Sequence, residues 1–65
     1  MFYKAKYDDP NKYTYIIKKD DAVGYYLYVY SAGKCIKDHL QDTLKFAIEQ
    51  AWEDYGVPED SWVQA

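Results

Sequence analysis

The chain carries one thiol and one imidazole, Cys35 and His39, four residues apart. A thiolate beside an imidazole and near a helix N-terminus is the smallest arrangement that supports nucleophilic catalysis, because both neighbours favour ionised sulfur. Asp38 works against it, since a carboxylate at a helix cap repels a second anion. No third residue is placed to orient the imidazole. The pair therefore reads as a buried structural cysteine and a surface histidine. The neighbouring carboxylates Asp8/Asp9, Asp20/Asp21 and Glu59/Asp60 fall in turn-like stretches and lack the alternating ligand spacing of a calcium loop. A single Cys and a single His leave no four-ligand set of the zinc type. No glycine-rich phosphate loop is present. A chain of 65 residues also leaves little room for a pocket, which in ligand-binding proteins runs to about 300 Å³ or more. These residues predict a protein that is not an enzyme and uses no metal or cofactor.

The element that would position the rest runs from Asp38 to Gly56. Asp38 is read as the N-cap, with Gln41 three residues on as its capping-box partner. Leu40, Leu44, Ala47, Ile48, Ala51 and Tyr55 follow at helical spacing and share one face. Gly56 suits the left-handed position after the last turn, and Pro58 cannot continue the helix. Val57 and Trp52 occupy positions whose side chains often meet in such an ending. The spacing thus predicts a continuous helix over 39–55. Phe46 departs from the stripe by roughly 140° or more at about 100° per residue. Its neighbours on the back of the helix are Asp42, Glu49, Gln50 and Glu53. Asp42 is placed favourably in the expected first turn, whereas Glu53 and Asp54 lie in the last turn, where the helix dipole favours cations.

Three stretches upstream alternate with period two. Phe2–Tyr7 points Tyr3, Ala5 and Tyr7 to one side. Asp9-Pro10-Asn11 then forms a turn with Pro10 at its second position. In 13–18, Tyr13, Tyr15 and Ile17 share a face. In 25–31, Leu27 and Val29 face one way and Tyr26, Tyr28 and Tyr30 the other. Ser31-Ala32-Gly33-Lys34 is a turn, and Cys35-Ile36 either extends a strand or leads into the helix. In the tail, 58–62 is compatible with a short helical turn that folds Trp62 onto the core. The expected fold is α+β: one small domain spanning 1–65, a three-stranded antiparallel meander packed on one C-terminal helix, β-β-β-α, with a short tail.

Composition supports a folded domain. Hydrophobic residues make up 49% and aromatic residues 20%, nine of them tyrosine, so even a small core buries large areas. Dimerisation would be a second route to burial, and a homodimer is kept as an expectation. No apolar run approaches the roughly 20 residues of a membrane helix, the start shows no signal-peptide pattern, and one cysteine suits a reducing compartment. The expected location is the cytoplasm, with no membrane partner. The net charge of −3 is unevenly spread, with seven lysines and four aspartates up to Lys37 and one lysine and seven acids beyond it. All eight basic residues are lysine, and the lack of arginine weighs against dedicated nucleic-acid reading.

With Leu27 and Val29 under the helix, Tyr26, Tyr28 and Tyr30 line the far side of the sheet beside lysines. The opposite assignment would bury the tyrosines and expose Leu27 and Val29, and is less natural because a tyrosine hydroxyl tolerates water. The leading expectation is a small acidic, non-catalytic module that binds a protein partner. Its binding residues would be Phe46, Asp42, Glu49 and Glu53 on the helix back, or Tyr26, Tyr28 and Tyr30 on the sheet. An inhibitor or immunity-type protein steered onto a basic partner is its sharper form. The alternative is a nucleic-acid-binding module in which the aromatic and lysine face stacks bases.

Overall fold

A computed structural model describes residues 2–65. The strands are β1 (Phe2–Ala5), β2 (Tyr13–Asp20), β3 (Gly24–Ser31), β4 (Lys34–Gln41) and β5 (Trp62–Gln64); the helix α1 (Leu44–Tyr55) lies between β4 and β5. All pairings are antiparallel, and the sheet order is β4-β3-β2-β1-β5. The domain is α+β with one helix against an antiparallel sheet, as the patterning predicts. The sheet has five strands rather than three, and the element order is β-β-β-β-α-β.

Both added strands arise where the sequence was read as something else. Residues 38–41, expected to cap and open the helix, instead finish β4. Ala32 and Gly33 both take positive φ, 51° and 80°, so a two-residue turn folds the chain straight back along β3. The helix then starts at Leu44, five residues later than expected, with Thr43 as its true N-cap. The Thr43 hydroxyl accepts from the Phe46 N–H at 3.1 Å. Leu40 belongs to β4 and is 49% exposed. The other end of the helix is as expected. Gly56 has φ 74°, its N–H donates to the Trp52 carbonyl, and the Val57 N–H donates to the Ala51 carbonyl. Val57 is fully buried, but Trp52 is 53% exposed and does not close over the ending. The tail forms a turn at Pro58–Ser61 and then pairs β5 with β1. Trp62 packs on the core, as expected.

The core lies between the helix and one side of the sheet. Tyr15, Ile17, Leu27 and Val29 from β2 and β3 meet Ala47 and Ala51 of the helix, with Leu44, Ile48 and Tyr55 packed at the margin. Burying side chains such as Ile17, Leu27 and Val29 stabilises the fold by about 1.5–3 kcal/mol each. The two alanines at the centre of the helix face let its backbone approach the sheet closely. Gly24 marks another close approach, because a Cβ there would run into the Gln41 carbonyl where β4 ends.

The β1–β2 connection is held by Asp9, which is only 4% exposed. Its carboxylate accepts from the Tyr15 hydroxyl at 2.5 Å, the Asn11 N–H at 2.7 Å and the Tyr13 N–H at 3.3 Å. The turn Asp9–Lys12 closes with a Lys12 N–H to Asp9 carbonyl bond, leaving Pro10 at its second position. Tyr15 is ringed by Tyr7, Tyr13 and Tyr55. Burial first, and then the bond to Asp9, pushes the Tyr15 hydroxyl well above its ordinary range. No helix among the described residues is long and apolar enough to cross a membrane.

Candidate functional site

The best-defined candidate lies on the back of the helix. Phe46, Glu49, Gln50, Glu53 and Asp54 recur at spacings of three and four residues, so they form one stripe. Gln41 at the end of β4 adds an opposing wall, and together these residues line a shallow groove of about 300 Å³. The walls are tied together. The Gln41 side-chain amide donates to the Gln50 carbonyl oxygen at 2.8 Å, and the Gln50 amide donates to an Asp54 carboxylate oxygen at 3.3 Å. Phe46 presents its ring at 49% exposure within this polar frame.

No cation lines the groove, and three carboxylates do. The ion pairs found among the described residues, Lys12–Asp8 and Lys19–Asp21, lie elsewhere. Lys45 stands one turn before Glu49 without pairing to it. The last helical turn holds no basic residue, so the negative end of the helix dipole adds to Glu53 and Asp54. The groove is thus a site of concentrated negative potential around one exposed aromatic ring. Such a site is suited to a lysine or arginine side chain, whose cation can sit over the phenyl face while the carboxylates neutralise it.

Of the residues singled out from the sequence, Phe46, Glu49 and Glu53 come together here. Asp42 does not. Because the helix begins at Leu44, Asp42 precedes the cap, lies in the β4–α1 connection and contributes nothing to the groove lining. Gln41 and Asp54 were missed as walls. Asp54 was legible from its four-residue spacing to Gln50; Gln41 was hidden by its assignment to the helix.

Tyr26, Tyr28 and Tyr30 sit on the opposite side of the molecule, on the sheet face that the helix leaves open. Their rings form a ladder, with Tyr26 and Tyr28 stacked at 5.7 Å between centroids and Tyr28 and Tyr30 at 6.4 Å. Burial and the neighbouring tyrosines raise the Tyr28 hydroxyl above its ordinary range. The register places Ile16 and Asp38 on either side of Tyr28, and Lys18 and Leu40 on either side of Tyr26. Phe2, Leu40 and Val63, all at least 39% exposed, add apolar surface there. The sequence reading identified the tyrosines but missed these companions, which come from the edge strand β4, from β1 and from the tail.

Cys35 and His39 do not meet. They lie on one extended strand, where four residues span about 13 Å, with the register shift of β4 between them. Cys35 is exposed rather than buried and pairs with Tyr30. His39 pairs with Leu27 and shares a 2.7 Å hydrogen bond with the Tyr55 hydroxyl, which pins β4 to the helix. No group of three or more His, Cys, Asp or Glu side chains among the described residues could hold a metal ion. No protein-family model matches the chain, and no curated protein or solved structure is significantly similar to it.

Proposed function

We propose that the protein is a non-catalytic binding module that docks its acidic helix groove onto a basic protein surface, in the manner of an inhibitor or immunity-type protein. The observation that carries this reading is the exposed Phe46 ring framed by Glu49, Glu53 and Asp54 with no cation in the lining. Burial of the ring would supply affinity, while the carboxylates would steer and orient the partner. The net charge of −3 adds a long-range attraction for basic surfaces.

The placement of Glu53 and Asp54 supports the same reading. Carboxylates in a last turn destabilise a helix by about 0.3–1 kcal/mol each, and a solubilising charge could sit elsewhere at no such cost. The test compares the wild type with the double variant Phe46→Ala/Glu49→Lys in affinity capture from the native host. The expected result is loss of a basic partner by the variant while its circular dichroism and melting temperature stay unchanged. Recovery of the same partner by the folded variant would exclude the groove as the binding surface.

A further inference from the structure

The open face of the sheet carries a charge pattern with a specific consequence. One row across the strands reads Lys4, Ile16, Tyr28, Asp38 from β1 to β4. Over these four strands it runs from a cation to a carboxylate with apolar side chains between, and Val63 of β5 lies beyond Lys4. The row beside it reads Phe2, Lys18, Tyr26, Leu40, with its apolar residues at the ends. A pattern of this kind is complementary to its own reverse. When a second sheet is turned by a two-fold axis lying between the faces, parallel to the strands and over the β2–β3 seam, every row meets the same row running the other way. Each Lys4 then faces Asp38 of the other copy, each Ile16 faces Tyr28, and each Phe2 faces Leu40.

We infer that a second copy of this chain covers the open face, giving a two-fold symmetric sandwich in which the sheets pack face to face and the helices lie outside. Two antiparallel sheets packed in this way keep their strands nearly aligned, which the proposed axis satisfies. The interface is isologous, so each favourable pair occurs twice. Pairing through a sheet edge is the other way in which two copies could join: the β5 edge has only three residues to offer, and β4 is the longer one. The β4 edge is guarded by Lys34, Lys37 and the register shift at Val29/Tyr30, features that discourage strand addition.

Four strands about 4.8 Å apart, over about 20 Å of their length, give a face of on the order of 400 Å² in projection. Two such faces together come to roughly 800 Å², below the roughly 1,200–2,000 Å² of stable specific interfaces, so the dimer should be weak and reversible, populated only at high protein concentration. The inference is independent of the acidic groove. The sandwich would leave both grooves exposed on its two outer sides and make the assembly bivalent for its partner.

Sedimentation equilibrium of the full chain, from low micromolar to several hundred micromolar, tests the proposal. A concentration-dependent dimer is expected. Asp38→Lys sets lysine against Lys4 at two symmetric places and should raise the dissociation constant by about tenfold or more. Adding Lys4→Asp to the same chain restores the opposite pairing and should bring the constant back to within about threefold of the wild type. A wild type that stays monomeric throughout the range overturns the proposal. So does a dimer indifferent to Asp38→Lys, or one that Lys4→Asp fails to rescue while both variants melt like the wild type. A monomer that instead retains single-stranded DNA, with retention lost in Tyr28→Ala, would assign the face to base stacking and overturn it equally.

Discussion

The two solvent-facing sides of this domain are built on opposite lines. The helix groove is charged, with a single aromatic ring at its centre and carboxylates where the helix dipole opposes them. The open sheet face is aromatic and aliphatic, with one row that runs from lysine to aspartate and another that carries a single lysine. The groove gives up helix stability to gather potential; the sheet face leaves apolar surface unburied. In a 65-residue chain, where burial is scarce, both are costs that folding alone does not explain. The groove is suited to a partner of opposite charge, and the sheet face to one with the same pattern as itself.

The sharpest contrast to draw is between the two faces of β3. Leu27 is fully buried under the helix, while Tyr28, next in sequence, points to the open side. Leu27→Ala should destabilise the monomer by about 2–5 kcal/mol. Tyr28→Ala should cost about 1 kcal/mol or less, because it removes only ring stacking and partial burial. Urea titration at a concentration too low for association measures both. Equal losses would mean that the open face is part of the folding core, and the comparison would fail.

A smaller effect separates the tyrosines that build the fold from those that face solvent. Tyr15→Phe removes a hydroxyl bonded to the buried Asp9 carboxylate and should cost about 1–3 kcal/mol. It should also change the response to alkali. The buried hydroxyls of Tyr15 and Tyr55 are held above the ordinary value of 10.0. The folded protein therefore keeps protons that the unfolded chain releases near pH 10. This stability is undiminished below pH 10.0 and is lost as pH rises toward the higher folded values. Tyr15→Phe should flatten that decline in a series of melts above pH 9, and an unchanged slope would show that Tyr15 is not the group responsible.

The smallest expected effect runs the other way. Glu53→Lys places a cation at the helix C-terminal end and should stabilise the domain by about 0.3–1 kcal/mol. The same change should weaken capture of a basic partner. A substitution that improves the fold while impairing binding distinguishes a functional carboxylate from a solubilising one, and thermal melts beside a binding titration read both sides.

Much of this was legible from residue patterning. Alternation in 2–7, 13–18 and 25–31 identified three strands, assigned Leu27 and Val29 to the core side, and grouped Tyr15 and Ile17 on one face. Helical spacing from Leu44 to Tyr55 and the glycine at position 56 located most of the helix and its end. Phe46 stood out because it broke the stripe. The failures share a physical cause. β4 is an edge strand with little burial and a register shift near Ile36, so the alternation that marks a half-buried strand is nearly absent. Leu40 happened to fall four residues before Leu44 and extended the helical pattern backwards, which made Asp38 look like a cap. The signals that outweigh it are Ala32-Gly33, a two-residue reversal after a strand, and Thr43 immediately before the true first turn. β5 has only three residues, too few for any period to register.

The groove is tested most directly by titrating the isotopically labelled protein with a short arginine-rich peptide at low salt and following backbone and side-chain NMR shifts. The expected result is saturable shifts centred on Phe46, Glu49, Gln50, Glu53 and Asp54. Tyr28 should be unmoved, and Phe46→Ala should weaken binding by about 1–2 kcal/mol. Shifts spread evenly over all acidic residues, or centred on the Tyr26–Tyr30 ladder, would contradict the account.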